Sequence, residues 1–200
     1  MHVGDTSTAE LHFDPDALRE KYRQERDKRL RPDGTEQYLE PVGEFARYLD
    51  DPYATPVERA PLTDTVEVAI IGGGFGGLMI GARLRQAGVE DLRIIDNGAD
   101  FGGTWYWNRY PGAMCDTESY IYMPLLEEVG YVPTEKYANG PEILAHGRRI
   151  AEHFDLYRNA VFQTQVTELR WDDDQALWTI ETDRGDRTAR ARAIGVRVAR

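Results

Sequence analysis

Gly72-Gly73-Gly74-Phe75-Gly76-Gly77 carries the spacing G-x-G-x-x-G through Gly72, Gly74 and Gly77. That spacing suits a turn that receives the diphosphate of a dinucleotide. Gly72 permits the tight turn, and Gly74 lets a diphosphate approach the backbone. Gly77 and Gly81 let the following helix lie close to the preceding strand. Phe75 and Gly76 lie within the glycine-rich turn ahead of that helix, whose free N–H groups and positive dipole end favour an anion there. Asp96 follows 19 positions after Gly77 and is placed to accept hydrogen bonds from ribose hydroxyls. Its charge repels a 2′-phosphate, so the site is expected to hold FAD or NAD rather than NADP.

Six positions past Asp96 comes a glycine pair, Gly102-Gly103, a second place where backbone can lie against an extended dinucleotide. Trp105, Tyr106, Trp107 and Tyr110 follow, interrupted by Asn108 and Arg109. These rings read either as the wall of a site for a flat ring system or as core.

The elements that must position these residues can be read from pattern. Residues 66–71 form a short apolar run ending in glycine, a buried parallel strand. Residues 78–87 read as a helix closed by Gly88, and residues 92–95 as a second strand ending at Asp96. Together they make a β-α-β unit. Asn139-Gly140-Pro141 opens a later helix with Ile143, Ile150 and Phe154 on one face and Gly147 as a close-packing position. His146 and His153 on that helix are expected at the surface or half-buried. Residues 161–171, 176–182 and 187–194 read as three strands of an antiparallel meander, with polar turns between them. The aspartates 172–174 are read as a solvated turn, because they lack the spaced ligands of a calcium loop.

Ahead of this unit, residues 1–13 read as a loose tail. Asp14-Pro15 caps an amphipathic helix to about residue 30, and a short second helix is expected over 43–49. The expected organisation is an N-terminal helical extension over 1–60 and a nucleotide-binding domain over 61–200.

Bulk properties narrow the function classes. The formal net charge of −11 argues against a nucleic-acid or anionic-membrane surface. One cysteine, Cys115, excludes an intrachain disulfide, a multi-cysteine zinc site and a redox-active cysteine pair; it reads as a small packing residue. No secretory signal and no run of roughly 20 apolar residues is visible, so the expected location is cytoplasmic, with no metal.

The run from Gly102 to Ser119, GGTWYWNRYPGAMCDTES, resembles the corresponding segment of Baeyer–Villiger monooxygenases. The likeness extends from about Val66 to about Arg192. It implies an α/β fold: a Rossmann-like FAD-binding domain with a parallel sheet, flanking helices and an antiparallel β-meander as a third layer. It also implies FAD held by Gly72, Gly74, Phe75, Gly76, Gly77, Asp96 and Gly103, with Thr104 and Trp105 beside the flavin. Tyr122 matches a tyrosine that contacts the cofactor, and Val166 a backbone contact to the adenine. Asp116 matches a catalytic aspartate that orients an arginine supplied from elsewhere; on its own it reads equally as a structural carboxylate.

The complete enzyme implied by the resemblance uses NADPH to reduce FAD and O2 to form a C4a-peroxyflavin, which inserts oxygen into a ketone substrate. A second glycine-rich fingerprint for NADPH is absent from the 200 residues. The end, AIGVRVAR over 193–200, stands where an Ala-Thr-Gly-like turn is expected. Truncation, by frameshift or otherwise, is therefore expected. The chain would then be inactive alone and short of the strand that closes its sheet. The competing readings are a non-catalytic FAD-binding fragment of a damaged gene and an amine or sulfide flavin monooxygenase.

Overall fold

The computed structural model describes residues 13–38 and 41–186, and the backbone of residues 190–196. Most of the expected tail and parts of the expected last strand and arginine-rich end lie outside these residues. The chain divides into two units after Asp50, so residues 51–60 fall with the larger one.

The smaller unit is held by local interactions. Helix α1, Pro15–Asp27, starts where the Asp14 side chain accepts from the Asp16 and Ala17 N–H groups, with proline at its start. Its charged surface pairs along the helix, as in Arg19–Asp16 and Lys28–Glu25. Such exposed pairs contribute only tenths of a kcal/mol each, and α1 buries none of its residues. The expected helix over 43–49 is a 3-10 helix, Gly43–Leu49.

In the larger unit, β1 (Thr65–Ile71) leads into α2 (Phe75–Gln86) and β2 (Leu92–Ile95). Helix α3 (Thr104–Trp107) and α4 (Ser119–Tyr122) are single turns, and α5 spans Gly140–His153. Four strands follow: β3 (Ala160–Val161), β4 (Val166–Asp172), β5 (Leu177–Thr182) and β6 (Arg190–Val196). All six form one sheet in the order β3-β2-β1-β6-β5-β4.

β1 pairs in parallel with β2 on one side and with β6 on the other. Period-two alternation sends β1 and β2 side chains to opposite faces. Ile70, Leu92 and Ile94 pack beneath α2 and α5 with Leu78, Ala82, Ile150 and Leu156. Ala69 and Ile95 point the other way, onto Ile180 with Val166 and Leu169 beside it, and Val66 near the start of β1 joins that cluster. Helix α5 is capped by Asn139, whose side chain accepts from the Glu142 N–H at 2.9 Å.

Two expectations about the strands require correction. The expected strand over 161–171 is two strands on opposite edges of the sheet, separated at Gln163, which takes φ +51°. Laid flat, those edges would stand about 24 Å apart, five spacings of roughly 4.8 Å. The link from Val161 to Val166 reaches about 18 Å at most. The sheet therefore curls, and the β4–β5 hairpin folds back over the β1–β2 face. It forms the third layer while remaining hydrogen-bonded to the sheet through β6.

The second correction concerns the strand expected to be missing beside β1. β6 occupies that place, pairing from Thr65↔Arg190 to Ile71↔Val196. The same strand pairs antiparallel with β5 at Trp178↔Ala191. One segment thus ends the meander and closes the parallel sheet, which the apolar pattern alone could not separate into two roles.

Candidate dinucleotide site

The β1–β2 register ends at Ile71↔Ile95, so Gly72 and Asp96 leave the sheet side by side. The Gly72 N–H donates to the Ile95 carbonyl at 2.8 Å, and Gly72 takes φ +102°. β1 has neighbours reached by connections on both sides, so the strand order changes direction there. A crevice at the C-terminal end of the strands is the expected ligand position in such a sheet.

Helix α2 begins at Phe75, three residues earlier than its expected start, with Gly74 at the N-cap and no side chain capping it. The first-turn N–H groups of a twelve-residue helix therefore open directly into the crevice. Gly76, Gly77 and Gly81 are poor helix formers, each costing about 1 kcal/mol against alanine. At Gly77 and Gly81 close packing decides in favour of glycine. A Cβ at Gly77 would stand 1.8 Å from the Gly72 carbonyl oxygen, and one at Gly81 3.1 Å from Leu156.

The second glycine pair meets the first. The Gly102 N–H donates to the Gly73 carbonyl at 3.0 Å. Gly103, at φ +54°, approaches so closely that a Cβ there would lie 2.7 Å from Gly74 Cα. Two segments about thirty residues apart in sequence become one backbone cradle without side chains.

Asp96 is 9% exposed. Its Oδ2 accepts from the Gly73 N–H at 2.5 Å and its Oδ1 from the Gly98 N–H at 2.7 Å. Burial pushes its carboxyl above the usual carboxylate range, and the two backbone donors oppose that shift. The same donors fix the carboxylate's orientation, and each oxygen keeps a further lone pair for a ligand hydroxyl.

These groups line one cavity of about 1030 Å³, at the upper end of the usual range for ligand pockets. Eleven of the twelve residues singled out in the sequence line it: Gly72, Gly74, Phe75, Gly76, Gly77, Asp96, Gly103, Thr104, Trp105, Tyr122 and Val166. The twelfth, Asp116, is exposed and does not line it, although its neighbour Thr117 does.

The aromatic run divides between wall and core. Trp105 and Trp107 line the cavity, Tyr106 is buried at 2% exposure, and Tyr110 is exposed. Trp105 Nε1 donates to the Tyr122 hydroxyl at 2.9 Å, and the Tyr122 ring meets Phe75 at 5.8 Å. Tyr106 donates to Asp51 Oδ2 at 2.5 Å, and burial, aided by that bond, pushes its hydroxyl up to about 12.

His146 departs from expectation. It is fully buried, with Nε2 2.7 Å from the Pro124 carbonyl and its ring stacked on Tyr131. Since a carbonyl only accepts, Nε2 carries the hydrogen. Burial lowers the pKa of this ring. His153 is exposed, as expected. Cys115 is 7% exposed and packs with Trp105, Tyr106 and Met123.

Sequence reasoning missed the cavity residues Asn97, Asn108, Thr164, Gln165 and Glu168. Asn97 and Asn108 adjoin motif residues and could have been found. Thr164, Gln165 and Glu168 surround Val166 but carry no local signal, because only the folding back of β4 brings them to the crevice.

A family model described as an NAD(P)-binding Rossmann-like domain matches residues 70–129. Neopentalenolactone D synthase of Streptomyces avermitilis is 59% identical over 174 residues, which cover 86% of this chain and 29% of that protein. A Baeyer–Villiger monooxygenase of Streptomyces coelicolor is 57% identical over 170 residues, 84% of this chain and 28% of that one. Over most of its length, this chain is similar to Baeyer–Villiger monooxygenases. It spans less than a third of the length of these relatives. Among solved structures, the polycyclic ketone monooxygenase of Thermothelomyces thermophila superposes with a TM-score of 0.75 at 40% identity. That likeness covers 90% of this chain and 31% of the fungal family member.

Proposed function

We propose that this chain forms the FAD-binding part of an FAD- and NADPH-dependent Baeyer–Villiger monooxygenase, which inserts one oxygen atom of O2 beside the carbonyl of a small ketone. The observation that carries the reading is the backbone cradle made where Gly72–Gly77 meets Gly102–Gly103, beside the doubly hydrogen-bonded Asp96.

The residues present fit FAD. A diphosphate can lie along the side-chain-free surface where Gly74 meets Gly103, against the uncapped start of α2. Asp96 would accept from the adenosine ribose, and the Val166 backbone would meet the adenine. Trp105 and Tyr122, held to one another by their hydrogen bond, would flank the flavin with Thr104. When bound, FAD supplies the electron transfer and oxygen chemistry. The protein's task here is to orient it and keep water from it.

Asp116 is assigned to orienting an arginine supplied from elsewhere in the enzyme. Its exposure leaves it open to such a partner. NADPH and the ketone would be handled outside this chain. No nucleic-acid or membrane partner belongs to this reading, and its expected location is the cytoplasm. Among the described residues, no helix is long and apolar enough to cross a membrane.

The FAD assignment predicts strong discrimination at Asp96. Titration with ADP and with 2′-phosphorylated ADP should show the second about 100-fold weaker, the scale expected when like charges are forced together. Equal affinities would contradict an ionised Asp96 at the ribose.

A further inference from the structure

We infer that Arg59, which does not line the cavity, is a positioning residue for its ribose end; this rests on the dinucleotide reading above.

Residues 51–62 have no regular secondary structure beyond turns, yet they are tied to the larger unit along their length. At one end the Tyr53 hydroxyl donates to the Trp107 carbonyl at 3.2 Å, and Arg109 lies 4.0 Å from the centre of the Tyr53 ring. In the middle, Gln163 acts as a substitute strand partner: its Oε1 accepts from the Val57 N–H at 2.8 Å and its Nε2 donates to the Thr55 carbonyl at 3.0 Å. Arg184 also donates to the Val57 carbonyl.

The strongest attachment is Arg59. Its guanidinium grips Asp186 with two bonds, Nη1 to Oδ1 at 2.7 Å and Nη2 to Oδ2 at 2.5 Å. The Asp186 carboxylate also accepts from the Leu62 N–H at 2.6 Å and the Thr182 hydroxyl at 2.8 Å. Such a bidentate, multiply bonded pair holds its geometry far better than a surface ion pair.

Arg59 has a second contact that a purely structural ion pair does not require. Nη2 donates to Thr164 Oγ1 at 3.1 Å. Thr164 is 1% exposed, lines the cavity, and donates its own N–H to the Asp96 carbonyl at 3.0 Å. Arg59, bound to the Thr164 side chain, is therefore connected through the Thr164 N–H to the main chain of the ribose-facing acid, Asp96. Thr164 also sits in the four-residue link between β3 and β4, where Gln163 takes its positive φ. Arg59 fixes this link at the point where the chain turns from the sheet edge into the cavity wall.

The test uses the full 200-residue chain, with ADP as the probe and titration calorimetry as the readout, alongside urea unfolding. Arg59→Met keeps most of the side-chain bulk and removes the donors; ADP affinity of the folded protein should fall roughly tenfold, the usual scale for losing an outer group that orients a binding residue. Arg59→Lys should lose less, since one cationic donor remains. Thr164→Val leaves the Arg59–Asp186 pair intact while removing the hydroxyl that accepts from Arg59 and donates to the Phe162 carbonyl at 2.9 Å; it should weaken ADP binding at a smaller cost in stability than Arg59→Met.

Arg59→Met with lowered stability but unchanged ADP affinity would overturn the inference, as would an unchanged affinity in Thr164→Val. If Arg59→Met does not fold, the Lys and Val variants decide between the same two results. A wild-type chain that binds neither ADP nor FAD overturns the dinucleotide reading and this inference together. That case differs from one in which wild type binds ADP and the variants bind it equally well.

Discussion

Replacing Gly77 by alanine is expected to remove dinucleotide binding and to destabilise the larger unit by about 3 kcal/mol or more, beyond the usual cost of overpacking. The added Cβ would stand 1.8 Å from the Gly72 carbonyl oxygen. Backbone cannot rotate aside as a side chain can, so α2 must move away from β1. That movement withdraws the first-turn N–H groups from the cavity and separates Gly74 from Gly103. Gly147→Ala provides the contrast on α5. Its Cβ would meet Leu78 at 3.5 Å, an ordinary contact, and alanine gains up to about 1 kcal/mol of helix propensity. Urea unfolding and FAD titration of the two variants should separate them clearly. Equal behaviour would mean that the contact between α2 and Gly72 is not what shapes the site.

Asp96→Asn is expected to produce the second large effect. Both carboxylate oxygens of Asp96 accept from backbone N–H groups, those of Gly73 and Gly98. An amide has one accepting oxygen, so its NH2 group must face one of these donors. Leaving a buried N–H without its acceptor costs about 1–3 kcal/mol, before any loss to a ligand. FAD affinity should fall further, because the ribose would lose its charged acceptor. The pH dependence gives an independent check. Burial raises the Asp96 pKa, and the ionised form is the one that accepts most strongly from ribose hydroxyls. Wild-type affinity should therefore weaken as pH falls through that raised pKa, while the asparagine variant should be flat over the same window. A wild-type profile as flat as that of the variant would remove Asp96 from the ribose contact.

The sequence showed most clearly what depends on neighbours in the chain. The β1–α2–β2 unit, its glycines and Asp96 were legible because each constraint lies within one short segment. Pattern alone puts the start of α2 three residues late, since glycines at 76 and 77 suppress the helical signal. Gly102-Gly103 reads from sequence as a close approach to a ligand, whereas its contact with Gly74 depends on tertiary structure.

What the sequence concealed was pairing. Whether residues 190–196 finish a meander or close a parallel sheet cannot be read from apolar pattern, because β6 does both. For the same reason the pattern does not show the break at Gln163, nor with it the cavity residues Thr164, Gln165 and Glu168. His146 was misplaced because a polar residue on a helix reads as surface unless its acceptor, here the Pro124 carbonyl 22 positions away, is known. Asp116 carries a motif position but lies outside the cavity wall, so its role depends on the arginine it would orient.

The most direct test is the visible absorption spectrum of the purified chain, with the acid-released cofactor identified by mass. Flavin absorption bands and released FAD, close to one per chain, are the expected result. A folded chain that is colourless as isolated, and remains so after incubation with FAD, would contradict the assignment to FAD of the cradle formed where Gly74 meets Gly103.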